Sequence, residues 1–278
     1  MKIKAYAKIN LTLNVLGKFD NGYHNLDMIN LPLKLHDQIR IIEKPHFKET
    51  IVKTSVKEIK ENNIVLTAVQ TLRSKYHFEN HFLIKIKKNI PLLSGLGGGS
   101  ADAAATLRGL FQLLNVQLSH KKQIEIATLI GADVPFCLFN QPARVQGLGE
   151  KLNFFSFKKQ YSVLIVKPQE GLTTKEVYEN LDLQTLKTHN LDQIISALEE
   201  GNLNLLDKLI GNNLEKPAIS LLEEIQTIKN LMIQDGLKNV LMSGAGSAVF
   251  SLDERKKHSR LAKKYKKLGY NVIITKTL

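Results

Sequence analysis

Four glycines fall within five positions, at Gly95, Gly97, Gly98 and Gly99, directly ahead of the helical run Ala103-Ala104-Ala105-Thr106-Leu107-Arg108-Gly109-Leu110. Glycines this dense let consecutive backbone N–H groups turn toward one point, and a helix starting there adds its unpaired amides and positive dipole end. The segment Pro91-Leu92-Leu93-Ser94-Gly95-Leu96-Gly97-Gly98-Gly99-Ser100-Ala101 therefore reads as a cradle for phosphate. A Walker A loop would close on Gly-Lys-Ser/Thr, and Gly98-Gly99-Ser100 carries no lysine. A dinucleotide fingerprint begun at Gly95 would need glycine where Ser100 stands. A ligand-free helix cap needs one glycine rather than four.

With 278 residues the chain is long enough for two domains of ordinary size. Apolar residues at 43% and charged ones at 23% match globular usage and argue against disorder or a fibrous class. Apolar runs such as Val163-Leu164-Ile165-Val166 are too short to span a bilayer, and Met1-Lys2-Ile3-Lys4-Ala5-Tyr6 lacks a signal-peptide core. The expectation is a soluble, cytoplasmic protein with no membrane partner. Cys137 is the sole cysteine and sits among apolar neighbours, which excludes an internal disulfide and suits a buried residue. A net charge of +13 favours anionic partners without choosing among them. Its C-terminal share, from Arg255 to Lys267, surrounds the apolar stripe Leu261, Ala262, Tyr265 and Leu268. That is a solvated helix face with no interleaved aromatics, which argues against nucleic acid.

Residues Ile3 to Val15 alternate apolar and polar side chains, which predicts a strand with one buried face. Lys8 and Asn10 then project from its polar face. Asp20-Asn21-Gly22 reads as a turn, with Tyr23 and His24 beyond it. Further strands are expected at 39–43, 51–56 and 82–87, and helices at 64–76, 101–114 and 119–130. Gly131-Ala132-Asp133-Val134-Pro135 follows the last of these, and Pro135 is expected to block helix continuation and hold Asp133 on a stiff corner. The second half should open with a strand at 161–167 and carry helices between 173 and 234. It should close with strands at 239–242, 248–252 and 270–275. Mixed helices and strands in both halves predict an α+β class, with a seam near 154–160 dividing domains at 1–157 and 158–278.

The strand bearing Lys8 and Asn10, the glycine loop, and Ser243-Gly244-Ala245-Gly246-Ser247-Ala248 resemble, in order and spacing, the GHMP small-molecule kinases. Ala7-Lys8-Ile9-Asn10-Leu11, Asn21-Gly22-Tyr23-His24-Asn25-Leu26 and Gly131-Ala132-Asp133-Val134-Pro135-Phe136 are most similar to members acting on a cytidine-diphosphate alcohol in the non-mevalonate route to isoprenoids. The resemblance covers nearly the whole chain. It implies a ribosomal-protein-S5-like N-terminal domain, a ferredoxin-like C-terminal domain and an active site in the cleft between them. Asp133 would be the catalytic carboxylate and Lys8 the cation beside it. Pro91 to Ala101 would enclose the phosphates of ATP, with Ser100 near Mg²⁺ and Asn62 at adenine. Asn10 would hold the erythritol end of the substrate. Tyr23 and His24 would serve the cytosine, and Tyr178 would close its other face, although ordinary helix packing accounts for Tyr178 equally well. Two departures stand out. Alanine occupies 245 and 248 where the family often has hydroxyl residues, leaving backbone contacts alone, and Asn21 replaces a usual aspartate.

Two other functions fit parts of the pattern. A relative with a different alcohol substrate would keep Lys8 and Asp133 without the cytosine pocket. A non-catalytic nucleotide- or RNA-binding homologue would exploit the positive charge, but intact Lys8 and Asp133 argue against it.

Overall fold

The structure, a computed structural model, describes residues 1–56, 63–157 and 159–278. Its first half is a six-stranded sheet built on a long hairpin, β1 (Lys2–Lys18) and β2 (His24–Glu43). Asp20-Asn21-Gly22 makes the turn, and Asn21 Oδ1 accepts the Tyr23 N–H at 3.1 Å. The far edge of β2 pairs at one end with β4 (Phe82–Lys87), itself parallel to β3 (Ile51–Thr54), and at the other with β5 (Ala143–Gly147), next to β6 (Lys151–Phe154). Helices α1 (Ile64–Tyr76) and α2 (Gly98–Leu113) cover one face, followed by α3 (His120–Thr128) and α4 (Val134–Phe139). Gly109 lets α2 sit close to that face, because a Cβ there would overlap the side-chain tips of Ile3 and Ile41.

The second half is a four-stranded antiparallel sheet in the order β10-β7-β9-β8. These strands are β7 (Ser162–Lys167), β8 (Val240–Met242), β9 (Val249–Asp253) and β10 (Asn271–Lys276). Helices α5 (Thr174–Glu179), α6 (Leu191–Glu200), α7 (Leu203–Leu209), α8 (Glu215–Leu221) and α9 (Glu224–Gln234) lie between β7 and β8, and α10 (Arg255–Lys267) between β9 and β10. The basic α10 buries Leu261, Ala262 and Tyr265 as expected, with His258 in place of Leu268, which is exposed just past the helix end. The α+β, two-domain reading stands.

Four expectations need correction. β1 is buried on both faces from Ala7 to Val15, because the second half covers its polar side: Leu13 N–H donates to Gly211 O, Asn213 N–H donates to Leu13 O, and Asn14 exchanges two hydrogen bonds with His189. β2 begins at His24 rather than at residue 39, and its buried segment Leu26–Leu33 lacks the period-2 signal of a one-sided strand. α2 begins inside the glycine loop, where the low helix propensity of glycine disguised the first turn. α3 does end short of Pro135, at Thr128, but Pro135 lies in the first turn of a separate helix, α4, that was not expected, since that turn needs no proline N–H. β5 and β6 were not anticipated.

Candidate active site

Lys8 lies at an irregularity in the β1–β2 ladder: the register shifts between Tyr6 and Lys8, and Lys8 faces Pro32, a residue tolerated in a strand interior mainly at such bulges. The interruption frees the Lys8 N–H to donate to Leu96 O at 3.0 Å, which docks the glycine loop on β1. The buried Lys8 ammonium donates to Asn10 Oδ1 at 2.5 Å and lies 3.3 Å from Asp133 Oδ2. Asn10 is anchored in turn, its Nδ2 donating to Asn30 Oδ1 at 2.7 Å.

Asp133 occupies the position before α4 where an aspartate commonly accepts helix N–H groups, yet its side chain makes no capping bond. The carboxylate is instead turned toward Lys8 and stays partly open, 29% exposed against 4% for the lysine side chain. Gly149, at φ 108°, backs this corner; a Cβ there would overlap the Ala132 carbonyl. Cys137, one turn further on, has its thiol pushed up to about 12, chiefly by burial and then by the charge of Asp133, so it remains protonated.

Beside this pair stands the glycine loop, with Gly97 packed against the Lys8 side chain. Gly95 and Gly97 both adopt φ of 70°, a left-handed conformation that glycine adopts without strain, and Gly97 caps α2. The first amides of α2 have no intrahelical acceptors, and its first residues Gly98, Gly99 and Ser100 line the cleft. Ser243-Gly244-Ala245-Gly246-Ser247-Ala248 is laced to this loop: Ser243 Oγ donates to Gly95 O at 3.1 Å, Ser247 N–H to Leu93 O at 3.2 Å and Ala248 N–H to Ser94 O at 3.4 Å. Asn212 holds that loop, donating to Met242 O and Gly244 O. The resulting cleft of about 430 Å³ is lined by Lys8, Asn10, Asp133, residues 91–100, Tyr178 and residues 244–246.

At one end of the cleft Tyr178 stacks on His24, ring centroids 4.5 Å apart and planes at 28°. A capping box between Thr173 and Glu176 fixes α5, which carries Tyr178. Burial, then the charge of Asp133, raises the Tyr178 phenol, and burial, then Lys18, lowers the His24 imidazole. The stack therefore holds two neutral rings. Tyr23 stands apart, 67% exposed on the hairpin tip, and Ala101 is buried behind the cleft. Asn62 lies outside the described residues.

A group at the site escaped sequence reasoning. Lys88, just past β4, lines the cleft and pairs with Asp37 of β2 and Asp102 of α2, all three side chains at most 4% exposed. Burial raises the Asp102 carboxyl to about 7 against the opposing pull of Lys88. Burial also works against the charge on Lys88, but the two carboxylates outweigh it and raise the ammonium. The only sequence signal was an acid inside the alanine run that opens α2.

Phosphoryl transfer to an alcohol needs a phosphate grip on one side and a carboxylate free to meet a hydroxyl on the other, with cations between. A cleft so furnished, between two sheet-and-helix units, defines a small-molecule kinase of the GHMP type. Comparison with known proteins agrees: residues 63–141 match the GHMP kinases N terminal domain and residues 194–271 the GHMP kinases C terminal domain. The chain is 40% identical over 271 residues to 4-diphosphocytidyl-2-C-methyl-D-erythritol kinase of Lachnoclostridium phytofermentans, covering 96% of this chain and 92% of that one. To the same-named protein of Caldicellulosiruptor bescii it is 38% identical over 281 residues, covering 100% and 98%. A crystal structure of 4-(cytidine 5'-diphospho)-2C-methyl-D-erythritol kinase matches over 100% of both chains with a TM-score of 0.83 at 28% identity. Homoserine kinase from Cytophaga hutchinsonii, at 17% identity and a TM-score of 0.73 over 100% of this chain and 94% of its own, shares the fold. The chain belongs to the GHMP kinase family, in the branch of the 4-diphosphocytidyl-2-C-methyl-D-erythritol kinases. As a kinase of this family it uses ATP. Among the described residues, no helix is long and apolar enough to cross a membrane.

Proposed function

We propose that this chain transfers the γ-phosphoryl group of ATP to a hydroxyl of 4-diphosphocytidyl-2-C-methyl-D-erythritol, in isoprenoid precursor biosynthesis in the cytoplasm. The observation that carries the chemistry is the 3.3 Å approach of Lys8 and Asp133 at a cleft that the N-terminus of α2 also lines. The relatives' names carry the substrate. Asp133 orients the attacking hydroxyl and accepts its proton. Lys8, held by Asn10, keeps that carboxylate ionised and steadies the attacking oxygen. Since Asn10 spends its oxygen on Lys8 and its amide on Asn30, it meets the erythritol end mainly by placing Lys8.

The backbone from Pro91 to Ala101 grips the phosphates, and Asn62 serves the adenine. The free amides of α2, with the Lys8 side chain packed against Gly97, fit an anion. No three His, Cys, Asp or Glu side chains converge among the described residues, so Mg²⁺ fits as an ion carried on the nucleotide, touching the protein through Ser100. When bound it neutralises charge building on the transferred group. Tyr178, His24 and Tyr23 receive the cytosine. A base sandwiched by two rings needs them about 7 Å apart, so His24 swings out of its 4.5 Å stack and turns its ring nitrogens to the base edge. The proposed domains are 1–157 and 158–278, with this cleft between them. A substrate panel tests the reading: ATP consumption should depend on the cytidyl alcohol and be absent with homoserine or mevalonate, and the reverse preference would overturn it.

A further inference from the structure

We infer that Lys88 is a positioning residue for ATP: its ammonium, held by Asp37, fixes the first turn of α2 through Asp102 and so aims the phosphate-binding amides. This rests on the reading of the glycine loop as the ATP site. The glycine loop has no lysine of its own. Leu96 O ties it to the Lys8 N–H, and the helix that follows is held in addition from below. Asp37 is buried in β2, and its Oδ1 accepts the N–H groups of Asn89 at 2.5 Å and Ile90 at 2.8 Å, so it fixes the backbone that leads into Pro91. Its other oxygen meets Lys88 Nζ, which lies 2.7 Å from Asp102 Oδ2. Asp102 belongs to the second turn of α2, while Gly98, Gly99 and Ser100 form the first. One ammonium thus joins the strand before the loop to the helix after it, spanning the loop without touching its tip.

The geometry leaves little slack. A Cβ on Gly98 would stand 3.4 Å from Lys88 Nζ and 3.1 Å from Ile90 Cγ2, so the turn carrying the amides rests on the cluster itself. Lys88 lines the cleft beside Gly98, with Asp37 and Asp102 buried behind it, and no hydrogen bond or ion pair ties the three to Asp133, Lys8 or the His24–Tyr178 end. Its loss should therefore separate the two substrates. Charge-assisted hydrogen bonds are directional, and a misaimed helix end binds phosphate less well even when the fold survives.

The test is equilibrium binding of a non-hydrolysable ATP analogue by calorimetry, which does not depend on the identity of the alcohol, alongside steady-state kinetics. Lys88→Met and Asp102→Asn should each weaken analogue binding and raise the KM for ATP about tenfold, leaving the KM for the cytidyl alcohol within twofold. The double variant should be no worse than either single one, because both break the same link. Lys88→Arg should recover most of the affinity. Lys88→Met strands two buried carboxylates and is the variant most at risk of unfolding; the isosteric Asp102→Asn then carries the test alone. Normal analogue affinity in folded Asp102→Asn would overturn the proposal, as would losses that simply add. A fall in thermal stability with unchanged affinity would reduce the cluster to a structural ion pair. If no analogue binds the unaltered protein, the ATP reading itself fails, a result distinguishable from these.

Discussion

Asp133 shows how much a single side chain can say by what it does not do: at a helix start it leaves the capping bond unmade and faces an ammonium instead. Asp133→Asn keeps the shape and removes the proposed base, so kcat should fall by roughly 10²- to 10⁴-fold with the KM for ATP little changed, as steady-state kinetics would show. Neither residue was distinctive alone, a strand lysine and a turn aspartate; both were legible because they recur in short motifs at long separation. Tyr23 was named from the same kind of motif, yet it is exposed on the hairpin tip, since a motif records which residues occur and not how a tip closes on a ligand. Lys88 and Asp37 were illegible for the opposite reason: buried ion clusters join positions 37, 88 and 102, and nothing local marks the partners. His258 supplies a pH test away from the site. It is buried between the hydroxyls of Ser162 and Ser251, and burial lowers its imidazole from 6.5 to about 4. The folded state therefore prefers the neutral ring, and that stability is present above pH 6.5 and lost as pH falls toward 4. Urea midpoints at pH 7 and pH 5 should drop further for the unaltered protein than for His258→Gln; equal drops would contradict this origin.

Among the elements, the glycine loop and the loop at 243–248 act as one unit. Gly95 sits at φ 70° against the Ser243 carbonyl, so Gly95→Ala is strained and forces the two loops apart. Activity should fall by at least about tenfold and analogue binding should weaken, with the four-stranded sheet intact by circular dichroism; unaltered binding would mean the lacing does not matter. The alanines at 245 and 248 that replace common hydroxyls cost the unit nothing here, because its links run through backbone groups and the hydroxyls of Ser243 and Ser247. Elements with clear periodicity and caps, such as α1 and β4, could be read from the residues alone. β2 could not, because a strand buried on both faces loses its alternation, and α4 was hidden by a proline that serves as a starter.

At the scale of the whole molecule, the polar face of β1 explains why the two halves meet where they do. Lys8, Asn10, Thr12 and Asn14 are all buried; in the second half Asn10 meets Ser243 and Asn14 meets His189, while the intervening backbone of Leu13 and Val15 bonds Gly211 and Asn213. Polar residues that would be solvated in an isolated first half thus become the seam, and the cleft opens where the seam stops. The pattern of alternation was visible in the residues, but which surface would cover the polar side was not, because long-range docking leaves no periodic mark. Asn14→Leu should strand the His189 backbone groups and destabilise the whole fold by about 1 to 3 kcal/mol, read as a lower urea midpoint. Asp133 and Lys8 are proposed to act together on one alcohol, beside ATP. The most direct test is a single-turnover measurement of γ-phosphoryl transfer to 4-diphosphocytidyl-2-C-methyl-D-erythritol in the unaltered protein and in Asp133→Asn and Lys8→Met. Transfer should fall at least about a hundredfold in both variants while ATP-analogue affinity holds in Asp133→Asn; transfer at the unaltered rate in either would rule out that joint role.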